Sequence, residues 1–327
     1  MNELAAPTAA SRVTRNLPWI ICLVVGSLLW LGALVITDVT NDPILIPTVI
    51  LLGSFVVPLT VVVFAMSRER ADRLPPIVMF MGFIGGGTIG VLSSALLETY
   101  YLPHGKGTYL SVGLIEEAAK ALVVLAVAHQ VVERGPRDGM ILGAIVGAGF
   151  AAFETSGYAL STLLKHMDDH GLMSVANTEL TRGILAPFGH ILWTALVGGA
   201  LFESAQRTGA FRLTSRLLWT FVGVVLLHGA WDASYGAAIV VTRGLVGEGW
   251  EFSWPGVADW IGTPTGSDLQ VFRVVYDVLL GLNALVGSLW IVHTYRNYSR
   301  RLALGVDRVV RRPDQVAGAT TAAIDAP

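Results

Sequence analysis

Charge is what this sequence has least of. Only 14% of its 327 residues are charged, against 53% hydrophobic, and the mean hydropathy is +0.62. A soluble domain carries about 25% charged residues, so the composition excludes an ordinary soluble fold and points to a multi-pass protein of the cell membrane. No excess of positive charge exists either. The net charge of −2 and pI near 6.4 give no footprint for nucleic acid. Cysteine is nearly absent. The single Cys22 excludes an intramolecular disulfide and any cysteine cage for zinc. A signal-peptide cleavage site is also missing. The first apolar run, Leu17 to Ile36, leads straight into Thr37-Asp38, so we expect a retained first helix. Two further absences matter later: the chain contains no HExxH zinc motif and no internal repeat.

What is present is a series of eight apolar runs, at 17–37, 43–66, 75–97, 110–132, 139–164, 183–203, 217–241 and 274–295. Each is near the ~20 residues that cross a bilayer as a helix. The expected fold is all-α, a polytopic membrane helix bundle of about eight transmembrane helices. Pro47, Pro58 and the Gly85-Gly86-Gly87 run are compatible with this, because neighbouring helices can satisfy a disturbed backbone. Arginine sets the expected orientation. With the N-terminus inside, 16 Lys and Arg fall on the inner side and 5 on the outer, with Lys120 inside the membrane. That bias predicts both termini in the cytoplasm. The domain expectation is a tail at 1–16, an eight-helix domain at 17–296, and a basic, then disordered, tail at 297–327. The outer segment 242–273, with Trp250, Trp254 and Trp260, reads as an interfacial flap or re-entrant piece.

Against this apolar background the ionisable groups are informative, because charge at membrane depth is costly and by default marks a functional site. The fourth run holds Glu116, Glu117 and Lys120. Helical spacing puts Lys120 beside both carboxylates, but one ammonium offsets only part of the cost and is not expected to satisfy both. We read it as a charge anchor for the pair. The fifth run has Gly139, Gly143 and Gly147 at a four-residue repeat, a surface for close helix packing, with Phe150-x-x-x-Glu154 near the end of that ridge. The sixth has Arg182 at its outer end and Pro187-Phe188-Gly189-His190. In the seventh, His228 and Asp232 share one face, so the carboxylate could hold the imidazole in one tautomer or ligate a metal beside it.

Topology turns these into one candidate site. At about 1.5 Å per residue, Glu117 and His190 lie about 10 Å below the outer boundary, Glu154 and Asp232 about 14–15 Å, and His228 about 20 Å. Four helices thus aim ionisable groups at one slab, mostly in the outer half. Carboxylates and imidazoles in low dielectric suit water activation, with one Glu as base and another as acid, and with His190 or His228 donating to an oxyanion. A divalent metal such as zinc, held by Glu117, Glu154, His190 and His228, is the alternative. A proton-coupled transporter, or a membrane binding protein without catalysis, could use the same groups. A transporter usually carries internal repeats, which this chain lacks.

The set Glu116-Glu117-x-x-Lys120, Phe150-x-x-x-Glu154 and His228-x-x-x-Asp232 resembles the PrsW family of intramembrane proteases. That family sits within the superfamily of type II CAAX prenyl endopeptidases and bacteriocin-immunity proteins. Arg182, Pro187-Phe188-Gly189-His190, Thr194 and Gly198 resemble its third block, and the likeness spans about 110–240. Thr155 stands where family members often have Asn. The resemblance implies hydrolysis of a peptide bond in a single-span membrane-protein substrate near the extracytoplasmic face, an anti-sigma factor being the family's precedent. It implies Glu116 and Glu117 as the first-motif carboxylates, with Glu154, His190 and His228 completing the catalytic site, where we expect Asp232 to orient His228. It leaves glutamate-activated and metal-activated water both open.

Overall fold

The structure is a computed structural model that describes residues 9–67, 74–102, 107–131, 133–166, 171–246, 266–305 and 310–311. These form an all-α bundle. In order, the helices are α1 (Ala9–Thr40), α2 (Ile46–Met66), α3 (Pro76–Gly85), α4 (Val91–Tyr101), α5 (Thr108–Ala128), α6 (Pro136–Lys165), α7 (Gly171–Leu185), α8 (His190–Thr208), α9 (Ser215–Val246) and α10 (Gly266–Ala303). A two-residue antiparallel pairing joins 133–134 to 310–311.

Seven segments are long and apolar enough to cross a membrane: Leu17–Thr40, Pro43–Met66, Pro76–Tyr101, Pro136–Lys165, Gly171–Thr208, Ser215–Val246 and Gly266–Ala303. Helix α5 matches the remaining apolar run, and it is the helix that carries Glu116, Glu117 and Lys120. The chain is therefore a multi-pass membrane protein.

The bundle is built around α6. Most of its apolar window, 72%, is buried, against 6% for α1 at the periphery. Sequence explains its place. Pro136 opens the helix, and the Asp138 carboxylate accepts the Gly135 N–H at 3.1 Å, a good N-terminal cap. The glycine repeat then lies flat on α8. A Cβ at Gly139, Gly143 or Gly147 would come within 2.2–2.3 Å of the carbonyl oxygens of Gly198, Thr194 and His190 respectively. Only glycine allows that approach. The opposite side of α6 packs on α3, α5 and α2 through Leu142, Ile145, Val146, Phe83 and Val123. The Gly85-Gly86-Gly87 run does not form a plain helix. It sits in a π-helical turn, Gly86–Gly90, where a Cβ on Gly86 would meet the Val146 carbonyl at 2.2 Å. Such turns insert one extra residue and recur near functional sites.

Three expectations change. The sixth span is not one helix starting at 183. Residues 171–185 are helical, and the chain breaks at Ala186–Phe188 before α8 restarts at His190. Pro187 and Gly189 cause the break, since proline lacks the N–H that would continue the ladder. Arg182 is therefore not at an outer end; it lies in the last turn of α7 and is directed into the bundle. The ends are also more helical than expected. α1 begins at Ala9, and α10 continues to Ala303, with Arg300 and Arg301 in its last turn, where positive charge favours the helix dipole. The tryptophans at 250, 254 and 260 and the tail from 312 lie outside the described residues.

Candidate active site

Two close approaches set the cluster. At Gly113 a Cβ would sit 3.1 Å from the Val225 carbonyl and 3.2 Å from His228 Cβ, so α5 and α9 touch backbone to backbone. Glu116 and Glu117 follow three and four residues later, on the face turned to α9. On the other side the Gly147–His190 contact sets the start of α8 against α6, one turn before Phe150 and two before Glu154.

Lys120 is fully buried, and its ammonium lies at the centre of the cluster. It is 2.5 Å from Glu117 Oε1, 3.4 Å from Glu116 Oε2, 2.8 Å from His190 Nδ1 and 4.2 Å from the Phe150 ring centroid. It thus reaches both carboxylates, Glu117 much more closely. Because an ammonium only donates, His190 Nδ1 accepts from it. His190 Nε2–H then donates to Glu154 Oε2 at 2.9 Å. Arg182 holds that same carboxylate at 2.5 Å and donates through Nε to Thr155 Oγ1 at 3.0 Å. Thr155, the departure from the family pattern, so serves as an acceptor for Arg182.

His228 is arranged in the mirror sense. Its Nδ1 donates to Glu117 Oε1 at 2.9 Å. Its Nε2 faces Glu116 Oε2 at 3.6 Å and Asp232 Oδ2 at 3.5 Å, both beyond hydrogen-bond distance. The carboxylate that orients His228 is therefore Glu117; Asp232, expected in that place, is left with its Oδ2 buried and without a hydrogen bond. Trp193 stacks on His228, with ring centroids 4.7 Å apart, and meets His190 edge-on at 5.4 Å. Beside the cluster a cavity of about 60 Å³, lined by Thr155, Arg182, Gly189, His190, Trp193 and Trp231, has room for water.

The structure brings together Glu116, Glu117, Lys120, Phe150, Glu154, His190, His228 and Asp232, which the sequence singled out on four helices. It sorts them in a way that spacing does not show. Among the described residues, the ligand atoms that converge within 4.8 Å of one another belong to Glu116, His190 and His228. Glu117 and Glu154, included in the expected ligand set, instead each hold the far nitrogen of one of those imidazoles. A carboxylate behind a ligating histidine is the usual support of a metal site. The donor set fits a divalent ion by charge as well. Four carboxylates, Glu116, Glu117, Glu154 and Asp232, face two cations, Lys120 and Arg182. Glu117 Oε2 and Asp232 Oδ2 are buried without partners.

Some contributors have weak sequence signals. Glu98, on α4, is half-buried with Oε1 unpartnered, and lies within electrostatic reach of Glu154, Asp232 and His228. It follows the third apolar run directly, as an isolated acid. Trp193 is one of nine tryptophans and has no motif to mark it.

A model of the family described as PrsW family intramembrane metalloprotease matches residues 74–248, which include the whole cluster and Glu98 and exclude α1, α2 and α10. No curated protein and no solved structure matches the chain. With more than half of its length matched, the chain belongs to the PrsW family of intramembrane metalloproteases.

Proposed function

We propose that this protein is an endopeptidase that cuts a membrane-protein substrate in the outer half of the bilayer, with Glu116, His190 and His228 as the metal-binding set. The observation that carries this reading is the paired arrangement of the imidazoles. Each gives one nitrogen to a carboxylate, Glu154 or Glu117, and turns the other toward the same point, where Glu116 Oε2 lies. A divalent ion such as zinc held there would supply Lewis acidity toward water and the scissile carbonyl. Lys120 sits on two of those three ligands. Metal and ammonium compete for them, and Glu117 is the partner that remains for Lys120.

The other groups divide the work. Glu117 has no exposed side-chain surface and is committed to Lys120 and His228, so its role is to fix the His228 tautomer. Asp232 is the most accessible carboxylate of the cluster, with 26% of its side chain exposed and an unpaired oxygen. In this reading it takes a proton from the attacking water and returns it to the leaving amine nitrogen as the C–N bond breaks. Arg182 holds Glu154, which orients His190. Trp193 and Trp231 wall the cavity and limit bulk water.

Eight spans with both termini in the cytoplasm are supported by the arginine bias and by α5 completing the seven apolar segments. That orientation places the cluster in the outer half. A single-span membrane-protein substrate follows from the family reading, and the cavity beside the cluster has room for the attacking water. An anti-sigma factor, and kinship with the CAAX and bacteriocin-immunity superfamily, are extensions of the family reading. The test is cleavage of single-span reporter proteins by the purified protein in bilayer discs. Wild type should cut on the extracytoplasmic side, and His228→Ala should not. Equal cutting by both would remove the assignment.

A further inference from the structure

α2, α6, α8 and α10 face one another across a groove of about 750 Å³ that shares no lining residue with the cavity of the cluster. This is within the range of ligand pockets, about 300–1,000 Å³. Its walls are apolar, with Met140, Ala144, Ile191, Ala195 and Val292 among them. One end is different. Arg137, Arg296 and Tyr295 form its mouth, with the Arg137 guanidinium 4.6 Å over the Tyr295 ring and hydrogen-bonded to its hydroxyl. Among the described residues neither arginine meets a carboxylate, and the mouth carries two guanidiniums.

We propose that this groove binds one anionic glycerophospholipid, phosphate on Arg137 and Arg296 and acyl chain along α6. Three observations choose this occupant. The charge at the mouth matches a phosphodiester at the headgroup level, where clustered arginines attract acidic lipid. The lining above it is hydrocarbon-like. The length fits one leaflet: from Arg137 to Gly147, which rests on the His190 carbonyl, is ten residues of helix, about 15 Å, half of the ~30 Å core.

The far end gives the site a consequence. Pro187 and Phe188 line it, and they belong to the turn that ends two residues before His190. Phe188 is 40% exposed among the described residues, so an acyl chain would cover it. A bound lipid then buttresses the break between α7 and α8 and holds His190 against Glu154 and Lys120. This regulatory part rests on the proteolytic reading above; the binding part does not.

Thermal unfolding of the purified full chain in a neutral detergent tests binding. Dioleoyl phosphatidylglycerol should raise Tm saturably, dioleoyl phosphatidylcholine by less than half as much, and inorganic phosphate not at all. Arg137→Gln/Arg296→Gln should need about tenfold more phosphatidylglycerol for the same shift. Arg296→Gln alone, at an exposed position, should show an intermediate loss. Equal shifts from the two lipids, a shift with inorganic phosphate, or an unchanged response in the double variant would overturn the site. In bilayer discs, reporter cleavage should be at least threefold faster with phosphatidylglycerol than with phosphatidylcholine alone, and the double variant should lose that difference. Equal wild-type rates would overturn the buttressing role. No cleavage in either lipid, with the Tm pattern intact, would count against the proteolytic reading and leave the lipid site standing.

Discussion

Two buried glutamate clusters lie at opposite ends of α8, and they differ in how much positive charge surrounds them. At the C-terminal end Glu203 accepts from Arg207 at 2.9 Å, Arg216 at 2.9 Å, Arg301 at 2.6 Å and the Tyr298 hydroxyl at 3.0 Å. One carboxylate has three cations from α8, α9 and α10. Every lone pair is used, and the result is a clasp. At the N-terminal end four carboxylates share two cations and two imidazoles, and buried oxygens remain without partners. Saturated charge is a fastening. Charge left short of cations is stored reactivity, because a proton or a metal can still complete it.

Substitutions should separate the two. The largest effect is expected for Glu116→Gln or His228→Ala, which should lower cleavage by ~10³-fold or more while leaving Tm within a few degrees if the proposed metal set is the reactive one. Kinetics with a quenched single-span reporter, beside thermal unfolding, would show it. Glu203→Ala should do the reverse. Leaving the largely buried Arg301 guanidinium and the buried Tyr298 hydroxyl without their acceptor should cost about 3 kcal/mol, while cleavage per folded molecule stays within a fewfold of wild type. Arg182→Ala should be intermediate, reducing cleavage about 10–100-fold by releasing the carboxylate behind His190, with partial recovery in Arg182→Lys. Smallest of all is Arg207→Ala. Its side chain is 54% exposed, and an exposed pair is worth about 1 kcal/mol at most. A stability loss for Arg207→Ala as large as that for Glu203→Ala would erase the distinction.

Much of this was legible before the fold. Each apolar run is largely helical, the third with a π-helical turn inside it and the sixth broken at Ala186–Phe188, because length and hydropathy decide what can span a bilayer. The cluster was legible because membrane depth makes each ionisable residue conspicuous, and helix registers place them at one level. α7 was not legible. Its sequence mixes Asn177, Thr178, Glu179 and Arg182 with apolar residues, so hydropathy passes over it. It is held by pairings that need tertiary structure: Glu179 with Trp30 at 2.8 Å, Thr178 with Thr162 at 3.3 Å and Arg182 with Glu154. The division of labour within the cluster was hidden for a related reason. Residues 116 and 117 are adjacent in sequence, but a 100° rotation between them sends one oxygen toward His228 Nδ1 and the other toward Nε2. Spacing tells which residues share a face, not which nitrogen of an imidazole meets which carboxylate.

The most direct test of the central claim is metal content measured alongside cleavage. Purified wild type, stripped with chelator and dialysed against zinc, should regain one equivalent of metal per chain and its cleavage of a single-span reporter together. His190→Ala and Glu116→Gln should regain neither. Wild-type protein that cuts at full rate after stripping, with no metal bound, would contradict the account.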